Sequence, residues 1–466
     1  MGNSLNDILD TKMSRKDFIM KVGVGAAVVT GLGAGVKVLN YNHNLKQASA
    51  LNGTQPTNGI TGVSGGGTAV DPATYVNVKD FGAVGDGVTD DTNAIRAAIL
   101  ASKTQGMPLF FPSFVYRTSA SLDVTGSTIF GYGAVLKLTD AIQECTMLKA
   151  TAGTTILGIT LDGNAAKTTT ATGVLAGIYV YAANGWGDIV TLRDVTVSNL
   201  HSEGIRIGTS IARTDPATLP LARTFIEASS VNNIGSNGIR LDFVRGAIIS
   251  QCHVDRATNG INSINSYGTK IIGCEVRNGS AHGIVSQYGL YTQISNNFCE
   301  GNADSGIVIG GGSVSKSPER YPLITSNTCR GNIKNGISAD TTISGQVGTP
   351  VDCHGAITSN VCTANGINGI NLQSSSYMVV SGNMVANNGT AGIGVSARYA
   401  SIDANLCENS KIGIGLFGSS SSPNYGYHRI GINLFRAISG QNYQINTTYV
   451  PGVVWAATDT TMPVNT

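Results

Sequence analysis

Residues 282–307, HGIVSQYGLYTQISNNFCEGNADSGI, hold one complete copy of a unit that recurs through the second half of the chain. The unit opens on a polar residue followed by Gly-Ile, and the same pattern closes it. Between the two lie β-branched residues and turn-forming Gly and Asn. Units that are this short and this rich in turns predict a coil of strands rather than a pair of helices.

The Gly-Ile motif recurs with a base period of about 22 residues, lengthened in places by insertions, and a fixed period of this length predicts a solenoid. In a solenoid each repeat stacks on the next. The nine motif glycines are Gly204, Gly238, Gly260, Gly283, Gly306, Gly336, Gly369, Gly392 and Gly413.

Two further rows recur once per repeat and should stack about 4.8 Å apart in a coil of parallel strands. One row is cysteine, interpreted as core thiols rather than disulfides, and the other is asparagine, predicted to hydrogen-bond from coil to coil. Cys145 and Cys353 lie outside the cysteine row. The rows are Cys252, Cys274, Cys299, Cys329, Cys362 and Cys407, and Asn297, Asn327, Asn360, Asn383, Asn405 and Asn433.

The composition agrees with many short strands. Charged residues make up 12% of the 466 residues, about half the globular norm, and 60 residues are glycine. Gly and Asn tolerate the positive φ of tight turns. Because the formal net charge is +2 and no basic stripe appears, a nucleic-acid partner is not expected.

Residues 1–74 differ in character from the rest of the chain. A basic start at 14–21 precedes the apolar run 22–36 and the small residues 48–50, so residues 1–50 are predicted to be an export signal or an uncleaved membrane anchor. The stretch resembles a twin-arginine signal with Lys16 in place of the second arginine. Residues 51–74 have the composition of a flexible Gly/Ser/Thr linker. The expected location is secreted or cell envelope, with membrane contact only through this segment.

Residues 81–95, FGAVGDGVTDDTNAI, combine a turn, three acids and the start of an apolar period. Thr89 to Asp91 are expected to cap a helix over 91–104 that covers the first coil. The segment lacks the alternating oxygen ligands of a calcium loop and the lysine of a phosphate loop. We therefore interpret it as structural.

Residues 78–138 resemble the N-terminal segment of the pectate-lyase-like superfamily. The similar stretches are 78–99 (VKDFGAVGDGVTDDTNAIRAAI), 109–118 (LFFPSFVYRT) and 128–138 (TIFGYGAVLKL); Ser113-Phe114 departs from the glycine that usually precedes the aromatic residue. The resemblance implies an all-β, single-stranded, right-handed parallel β-helix over 75–440, followed by a C-terminal cap or tail over 441–466. That superfamily includes polysaccharide lyases, rhamnogalacturonases, mannuronan epimerases and phage tailspikes.

The strand after each Gly-Ile motif should alternate between the interior and the surface. Its outward positions form a polar stripe, which we expect to be walled by the loops 208–222, 310–322 and 340–355. Such a stripe suits an extended sugar chain, and a plain solvated sheet face is the alternative. The stripe is Arg206, Arg240, Asp242, Asn262, Gln287, Ser338, Asp340, Asn371 and Gln373.

A lyase or epimerase acting on a uronic acid must neutralise the sugar carboxylate and needs a base for the adjacent proton. Arg206, Arg240 and Asp242 are predicted within about 8 Å of one another and are the catalytic candidates. The same arrangement equally fits a surface ion-pair ladder. Ca²⁺ is a possible cofactor through Asp242 with Asp340 or loop acids, and no metal ligand is assigned. The predicted substrate-binding residues are Asn262, Gln287, Asp340, Asn371 and Gln373.

Hydrolysis is the weaker option from the sequence. A glycosidase needs two carboxyls about 5–9.5 Å apart, whereas Glu203 and Asp242 lie five positions apart along the strand, about 16 Å at ~3.3 Å per residue. The epimerase segment Tyr-Gly-Phe-Asp-Pro-His of the resembling group would fall on 203–208, which reads EGIRIG here.

The sequence therefore predicts an exported polysaccharide-active protein, foremost a lyase-like enzyme for an acidic glycan. A non-catalytic glycan-binding or adhesin β-helix and a glycoside hydrolase on the same fold remain open. Tyr425, Tyr427, Tyr443 and Trp455 would either stack on sugar rings or cover the last coil. The oligomeric state is left open.

Overall fold

The computed structural model describes residues 74–151, 153–173, 175–182, 189–209, 223–310, 319–340, 351–418, 426–446, 450 and 452–455. The predicted export segment and all but the last residue of the predicted linker lie outside these ranges. So do most of the loops expected to wall the polar stripe.

The strands form three parallel sheets, called A, B and C here, with 15, 14 and 14 strands. The chain visits A, B and C in turn, and each strand pairs in parallel with its counterpart one coil away. In sheet C, for example, Ile284 pairs with Ile261 on one side and Ile307 on the other. This arrangement confirms the predicted solenoid: the chain is a parallel β-helix.

Sheet A forms one face along the whole helix axis. Its strands are Val76–Asn77, Leu109–Phe110, Thr128–Phe130, Thr155–Leu157, Val190–Arg193, Thr224–Glu227, Ile248–Ser250, Lys270–Ile272, Gln293–Ser295, Leu323–Thr325, Ala356–Thr358, Val379–Ser381, Ser401–Asp403, Arg429–Ile430 and Val454–Trp455.

Sheet B forms the second face. Its strands are Asp86–Asp90, Val115–Thr118, Val135–Leu138, Thr160–Asp162, Thr196–Leu200, Ser230–Ile234, His253–Asp255, Glu275–Arg277, Phe298–Glu300, Thr328–Arg330, Val361–Thr363, Met384–Ala386, Leu406–Glu408 and Leu434–Arg436.

Sheet C carries the Gly-Ile motifs. Its strands are Leu122–Asp123, Leu148–Ala150, Ala176–Ala182, Glu203–Thr209, Ile239–Asp242, Ile261–Ile264, Ile284–Gln287, Ile307–Gly310, Ile337–Asp340, Asn368–Ser376, Ala391–Arg398, Ile412–Leu416 and Gln441–Ile445, with Val351–Asp352 pairing beside Asn368–Ser376. The sheets thus continue beyond residue 440, where the sequence placed the end of the solenoid.

The core is the interior of the coil, filled by rows of apolar side chains. The residues three positions after the motif glycines are buried as predicted, with Ile207, Leu241 and Ile309 fully covered. All eight cysteines are free thiols, and the six of the predicted row are buried. Cys353 is buried as well, outside that row.

The predicted asparagine row is a continuous hydrogen-bonded ladder. Asn360 shows the pattern: its Nδ2 donates to Oδ1 of Asn383 at 3.0 Å, and its Oδ1 accepts from the backbone N and the Nδ2 of Asn327 at 2.9 and 3.0 Å. A buried polar group left without a partner costs about 1–3 kcal/mol, so the ladder ties neighbouring coils together. A second ladder, not predicted from the sequence, lies at another corner and is formed by Asn302, Asn332, Asn365 and Asn388.

One α-helix, α1 (Thr92–Gln105), follows the acidic turn. It buries Ile95, Ala98 and Ile99 and packs against the first strands of sheets A and C. The predicted cap is wrong in detail, because the Asp91 carboxylate accepts from the backbone N–H groups of Val84 and Gly85, at 2.5 and 3.0 Å, instead of capping the helix. Asp86 and Asp91 therefore hold the turn that precedes the helix, while Asp90 Oδ1 accepts from the backbone N of Thr92, the first residue of the helix, at 3.0 Å.

A short 3-10 helix, Val78–Phe81, lies before that turn. In the part of the chain that the structure describes, no helix is both long and apolar enough to cross a membrane.

Candidate functional site

The candidate site lies on the outer face of sheet C, where the strands Glu203–Thr209 and Ile239–Asp242 pair. Their register sets Arg206 beside Arg240 and Gly208 beside Asp242. Gly208 leaves room there, since a Cβ at this position would come within 2.9 Å of the Asp242 Cβ. The parallel register thus places two arginines and one acid together, as the sequence predicted.

Glu203 joins the same face because strand alternation breaks at the motif glycine. A Cβ on Gly204 would meet the interior Val231 at 2.5 Å, and the next residue, Ile205, is fully buried. Two successive residues therefore face the interior, so that Glu203 and Arg206, three positions apart, both face outward. The Glu203 side chain can then reach the arginines.

Four side chains close a ring of ion pairs, called the Arg–acid cluster below: Glu203, Arg206, Arg240 and Asp242. Arg206 Nη1 lies 3.2 Å from Glu203 Oε2, and its Nη2 lies 2.8 Å from Asp242 Oδ2. Arg240 Nη1 lies 3.2 Å from Glu203 Oε1, and its Nη2 lies 3.0 Å from Asp242 Oδ1. Each guanidinium thus bridges both carboxylates.

The carboxylate separation expected from the sequence is wrong. One guanidinium and its hydrogen bonds join Glu203 to Asp242, so their nearest oxygens are at most about 8 Å apart. The estimate of about 16 Å followed the rise of the strand, whereas the side chains lean toward each other across it. The pair therefore lies inside the upper limit of about 9.5 Å that glycosidases use, and the sequence-based distance no longer excludes it.

The cluster is more open at its arginines than at its acids. The side chains of Arg240 and Arg206 are 26% and 17% exposed, against 10% for Asp242 and 8% for Glu203. Burial alone would lower the pKa of Arg240, but the hydrogen bond and charge of Asp242, with those of Glu203, outweigh it and raise this pKa above its ordinary value. The Arg240 guanidinium therefore stays charged, as a carboxylate-binding site requires.

A chain of amides extends the cluster toward the next coil. Asn237 Nδ2 donates to Glu203 Oε1 at 3.0 Å, and Asn237 Oδ1 accepts from the Nδ2 groups of Asn259 and Asn262 at 3.0 and 3.1 Å. Among the described residues, nothing donates to the buried Oδ1 of Asn262. Asn262 thus adjoins the cluster, as predicted, and is held by the protein's own amides.

Tyr179 borders the cluster one coil earlier. Its ring lies 5.6 Å from the Arg206 guanidinium carbon, and the ring of Tyr181 follows at 5.5 Å. Burial is the main cause that raises the pKa of Tyr179, although the charge of Arg206 opposes it. Neither tyrosine was predicted from the sequence. The feature that could have found them is the earlier Gly-Ile pair Gly177-Ile178, since the two tyrosines lie two and four residues after Gly177, at the outward positions of the strand.

The other predicted substrate-binding residues are not at the cluster. Gln287 lies two coils beyond Asp242 in the same row, Asp340 four coils beyond and Gln373 five coils beyond. Asn371 belongs to the row of Arg240 and pairs with Ser338. These side chains share a sheet face with the cluster and do not share its site.

The register also argues against the predicted calcium pair. Four coils separate Asp242 from Asp340, which is about 19 Å at one strand spacing per coil. One ion cannot bridge that distance, since Ca²⁺ binds its oxygen ligands at about 2.3–2.6 Å. Within the described ranges, no group of three or more His, Cys, Asp or Glu side chains is placed to share a metal ion.

The fold and sequence together define a class, the parallel β-helix proteins with an N-terminal helix before the first coils. Residues 75–284 match the family described as "Rhamnogalacturonase A/epimerase, pectate lyase-like", and residues 349–465 match "Periplasmic copper-binding protein (NosD)". Residues 75–284 thus carry a pectate-lyase-like segment, as the resemblance of residues 78–138 implied.

Among curated proteins, the chain is similar to two from Azotobacter vinelandii. It is 29% identical to mannuronan C5-epimerase AlgE5 over 237 residues, which is 46% of this chain, and 29% identical to alginate lyase 7 over 210 residues, which is 41% of this chain. In both cases the match spans only 23% of the relative's length.

Solved structures share the fold. The A-module of A. vinelandii mannuronan C-5 epimerase AlgE4 superposes with a TM-score of 0.58 at 20% identity, covering 82% of this chain and 99% of the module. The catalytic unit of a GH87 α-1,3-glucanase from Streptomyces thermodiastaticus gives a TM-score of 0.53 at 16% identity, covering 80% and 69%. At these identities the likeness concerns architecture alone.

Proposed function

We propose that the chain is a polysaccharide-active enzyme of the lyase type, acting on a uronic-acid-containing glycan at the Arg–acid cluster. The observation that carries the proposal is the pair of guanidinium groups on neighbouring coils, each fixed by Glu203 and Asp242 and more exposed than either acid. The alginate-modifying relatives support the substrate class.

The arrangement suits recognition of a sugar carboxylate. A guanidinium presents five N–H donors in a planar fork that matches a carboxylate. The acids hold both forks in place before substrate arrives, so little side-chain freedom is lost on binding. A uronate that takes up donors now used by Asp242 would leave the Asp242 carboxylate beside the sugar ring.

Asp242 is then the proposed base. It accepts the proton on the ring carbon next to the sugar carboxylate, and the arginines stabilise the negative charge that develops there. The electron pair of the broken C–H bond forms a ring double bond as the neighbouring glycosidic C–O bond breaks. The leaving oxygen takes a proton from water to become a hydroxyl, and Asp242 then releases its proton to solvent. Arg206 and Arg240 are the proposed carboxylate ligands, and Asn262 is a positioning residue.

A glycoside hydrolase is a second candidate, favoured by the approach of Glu203 and Asp242 to within about 8 Å. It ranks lower because a general acid must direct a proton at the leaving oxygen, whereas both carboxylates face the guanidinium groups.

The test incubates the full chain with polymannuronate, polygalacturonate and a neutral glucan, and follows the ultraviolet absorbance of the unsaturated uronate together with new reducing ends. The lyase proposal expects both signals on a polyuronate, and their loss in Arg240→Ala and Asp242→Asn. Arg436→Ala, which alters an arginine whose side chain is 76% exposed, is the matched control and should keep full activity.

Reducing ends without the absorbance would support the hydrolase instead. A flat response on every polymer, with retention of the glycan on the protein, would leave binding alone. Retention of activity in Arg240→Ala would move the site away from the cluster.

We also propose that the protein is exported to the periplasm, the envelope or the medium. The basic and apolar pattern of residues 14–50 supports this location, as does the match to a family described as periplasmic. Fractionation of cells that produce the full chain tests it, and recovery in the cytoplasm alone would count against it.

A further inference from the structure

A column of exposed aromatic rings, called the aromatic ladder here, follows the corner where sheet C passes into sheet A. Successive rings stack face to face, with centroids 4.5–5.9 Å apart and interplanar angles of 5–27°. At its start, Tyr267 meets the first ring edge-on at 5.6 Å. The ladder residues are Tyr291, Tyr321, His354, Tyr377, Tyr399 and Tyr427.

The sequence carries a signal for this ladder that the repeat motifs do not reveal. Each aromatic residue lies three positions before a buried Ile or Val of sheet A, as Tyr321 does before Ile324 and Tyr377 before Val380. Only Tyr427 was singled out from the sequence. The other five rings have no common spacing in sequence order because insertions vary it, and the coil register brings them into one column.

The ladder is costly to the backbone. All six residues have left-handed φ between 51° and 59°, a conformation that costs a residue with a Cβ roughly 1–2 kcal/mol. The other two corners mostly put small residues or Asn at such positions, for example Ser326, Ala404 and Asn387, although Gln251 and Arg256 also have left-handed φ there. Each stacked pair contributes about 0.5–1.5 kcal/mol to stability. Six strained residues and five stacked pairs together therefore give no clear net gain in stability.

The exposed parts of the ladder are ring edges and hydroxyls, because the ring faces cover one another. The ladder tyrosines are 37–51% exposed. An aromatic edge carries the positive part of the ring quadrupole, and a phenol donates a hydrogen bond. Such a surface favours carboxylate and hydroxyl oxygens over the apolar face of a neutral sugar.

Arginines follow the same corner. Arg245 lies over the Tyr267 ring with its guanidinium carbon 4.9 Å from the centroid. Arg398 lies over Tyr399 at 5.0 Å and donates to its hydroxyl at 3.1 Å. Arg320, which is exposed, directly precedes Tyr321; one exposed acid, Asp352, lies two residues before His354. The excess of positive charge complements a polyanion.

The ladder starts close to the Arg–acid cluster. Arg245 follows Asp242 by three residues in the same coil, at most about 10 Å along the chain. From Tyr267, one coil after Arg245, the rings run toward the C-terminus with one ring per coil, and the six steps to Tyr427 span about 29 Å at ~4.8 Å per step. A single extended polymer can therefore contact both features.

We propose that the aromatic ladder, with Arg245, Arg320 and Arg398, is a binding track for an acidic polysaccharide. The glycan lies along the helix axis, with its carboxylates toward the arginines and ring edges and its hydroxyls toward the phenols. This inference rests on the proposed function for its substrate class, and it adds a second, extended site several coils long that selects for charge and for chain length.

The test measures binding of the full chain, by titration calorimetry, to polymannuronate and polygalacturonate oligomers of about 12 and about 3 sugars, longer and shorter than six steps of ~4.8 Å. A neutral glucan of matched length is the comparison ligand. The variant is Tyr321→Asn with Tyr377→Asn, because Asn removes the ring and tolerates left-handed φ. The control is Tyr132→Asn, since this tyrosine is 40% exposed and lies off the ladder.

We expect the double variant to weaken binding of a long polyuronate at least tenfold, and to leave binding of the short oligomer and the unfolding midpoint near those of the control. Arg240→Ala should lose turnover and keep most of the long-oligomer affinity. Equal binding of the neutral glucan, an unchanged affinity in the double variant, or no polyuronate binding by the wild type would each overturn the track. If the wild-type chain turns over a polyuronate but the ladder variant binds the long oligomer as tightly as the wild type does, the binding track is refuted and the proposed enzymatic function stands.

Discussion

Replacing Asp242 with Asn tests whether the Arg–acid cluster is a pre-formed charged unit or a loose set of surface ion pairs. The Asp242 carboxylate accepts from Arg206 Nη2 at 2.8 Å and from Nη2 and Nε of Arg240 at 3.0 Å. In the variant the amide NH₂ group faces guanidinium donors, and the cluster changes from neutral to one net positive charge.

The expected loss is about 2–3 kcal/mol in the free energy of unfolding, because a hydrogen bond to a charged group contributes about 1.5–3 kcal/mol. Three such bonds would give more if they were fully buried. The sum is discounted because the arginine side chains are 17% and 26% exposed, so water replaces part of what is lost. A loose surface pair would instead cost at most about 1 kcal/mol.

The assay is urea unfolding followed by circular dichroism, with Asp80→Asn, an exposed acid, as the control that should stay within about 0.5 kcal/mol of the wild type. A double-mutant cycle of Asp242→Leu with Arg240→Leu should show coupling, since removing both partners leaves fewer unpaired charges than removing one. A stability for Asp242→Asn that is indistinguishable from that of the control, together with additive single variants, would refute the reasoning.

Two further predictions concern the scaffold. His428 is 1% exposed, and burial lowers its pKa from 6.5 to about 4. As the pH falls, the unfolded chain therefore binds a proton on this residue before the folded chain does. The contribution of His428 to the free energy of unfolding should be fully present above pH 6.5 and should fall by up to about 3 kcal/mol as the pH drops toward 4. Urea unfolding of His428→Asn at several pH values should show a shallower fall, and an unchanged slope would contradict this assignment. In the asparagine ladder, Asn360→Ala should lower the free energy of unfolding by about 3–5 kcal/mol, because it leaves buried polar groups of Asn327 and Asn383 without partners. The control Asn93→Ala, on the exposed face of α1, should change this free energy little. Similar unfolding midpoints for the two variants would disprove the ladder's role.

The candidate site shows where strand arithmetic stops being reliable. Arg206, Arg240 and Asp242 were predicted together because parallel register transfers sequence spacing directly into space. Glu203 was placed too far from Asp242 because the prediction counted only the rise along the strand, whereas Gly204 turns inward next to the buried Ile205 and the Glu203 side chain reaches the arginines. A glycine at a corner can change which face a neighbour occupies, and no periodic rule includes that effect.

The sequence by itself determined the solenoid, its interior rows and the asparagine ladder. These features depend only on the short Gly-Ile repeat and on the alternation of strands, both of which are local and periodic. Only the tertiary structure decided which carboxylates meet the arginines and the assembly of six aromatic residues into one ladder. The physical reason is that insertions shift sequence spacing from coil to coil, while hydrogen-bonded register and long side chains set the distances between atoms.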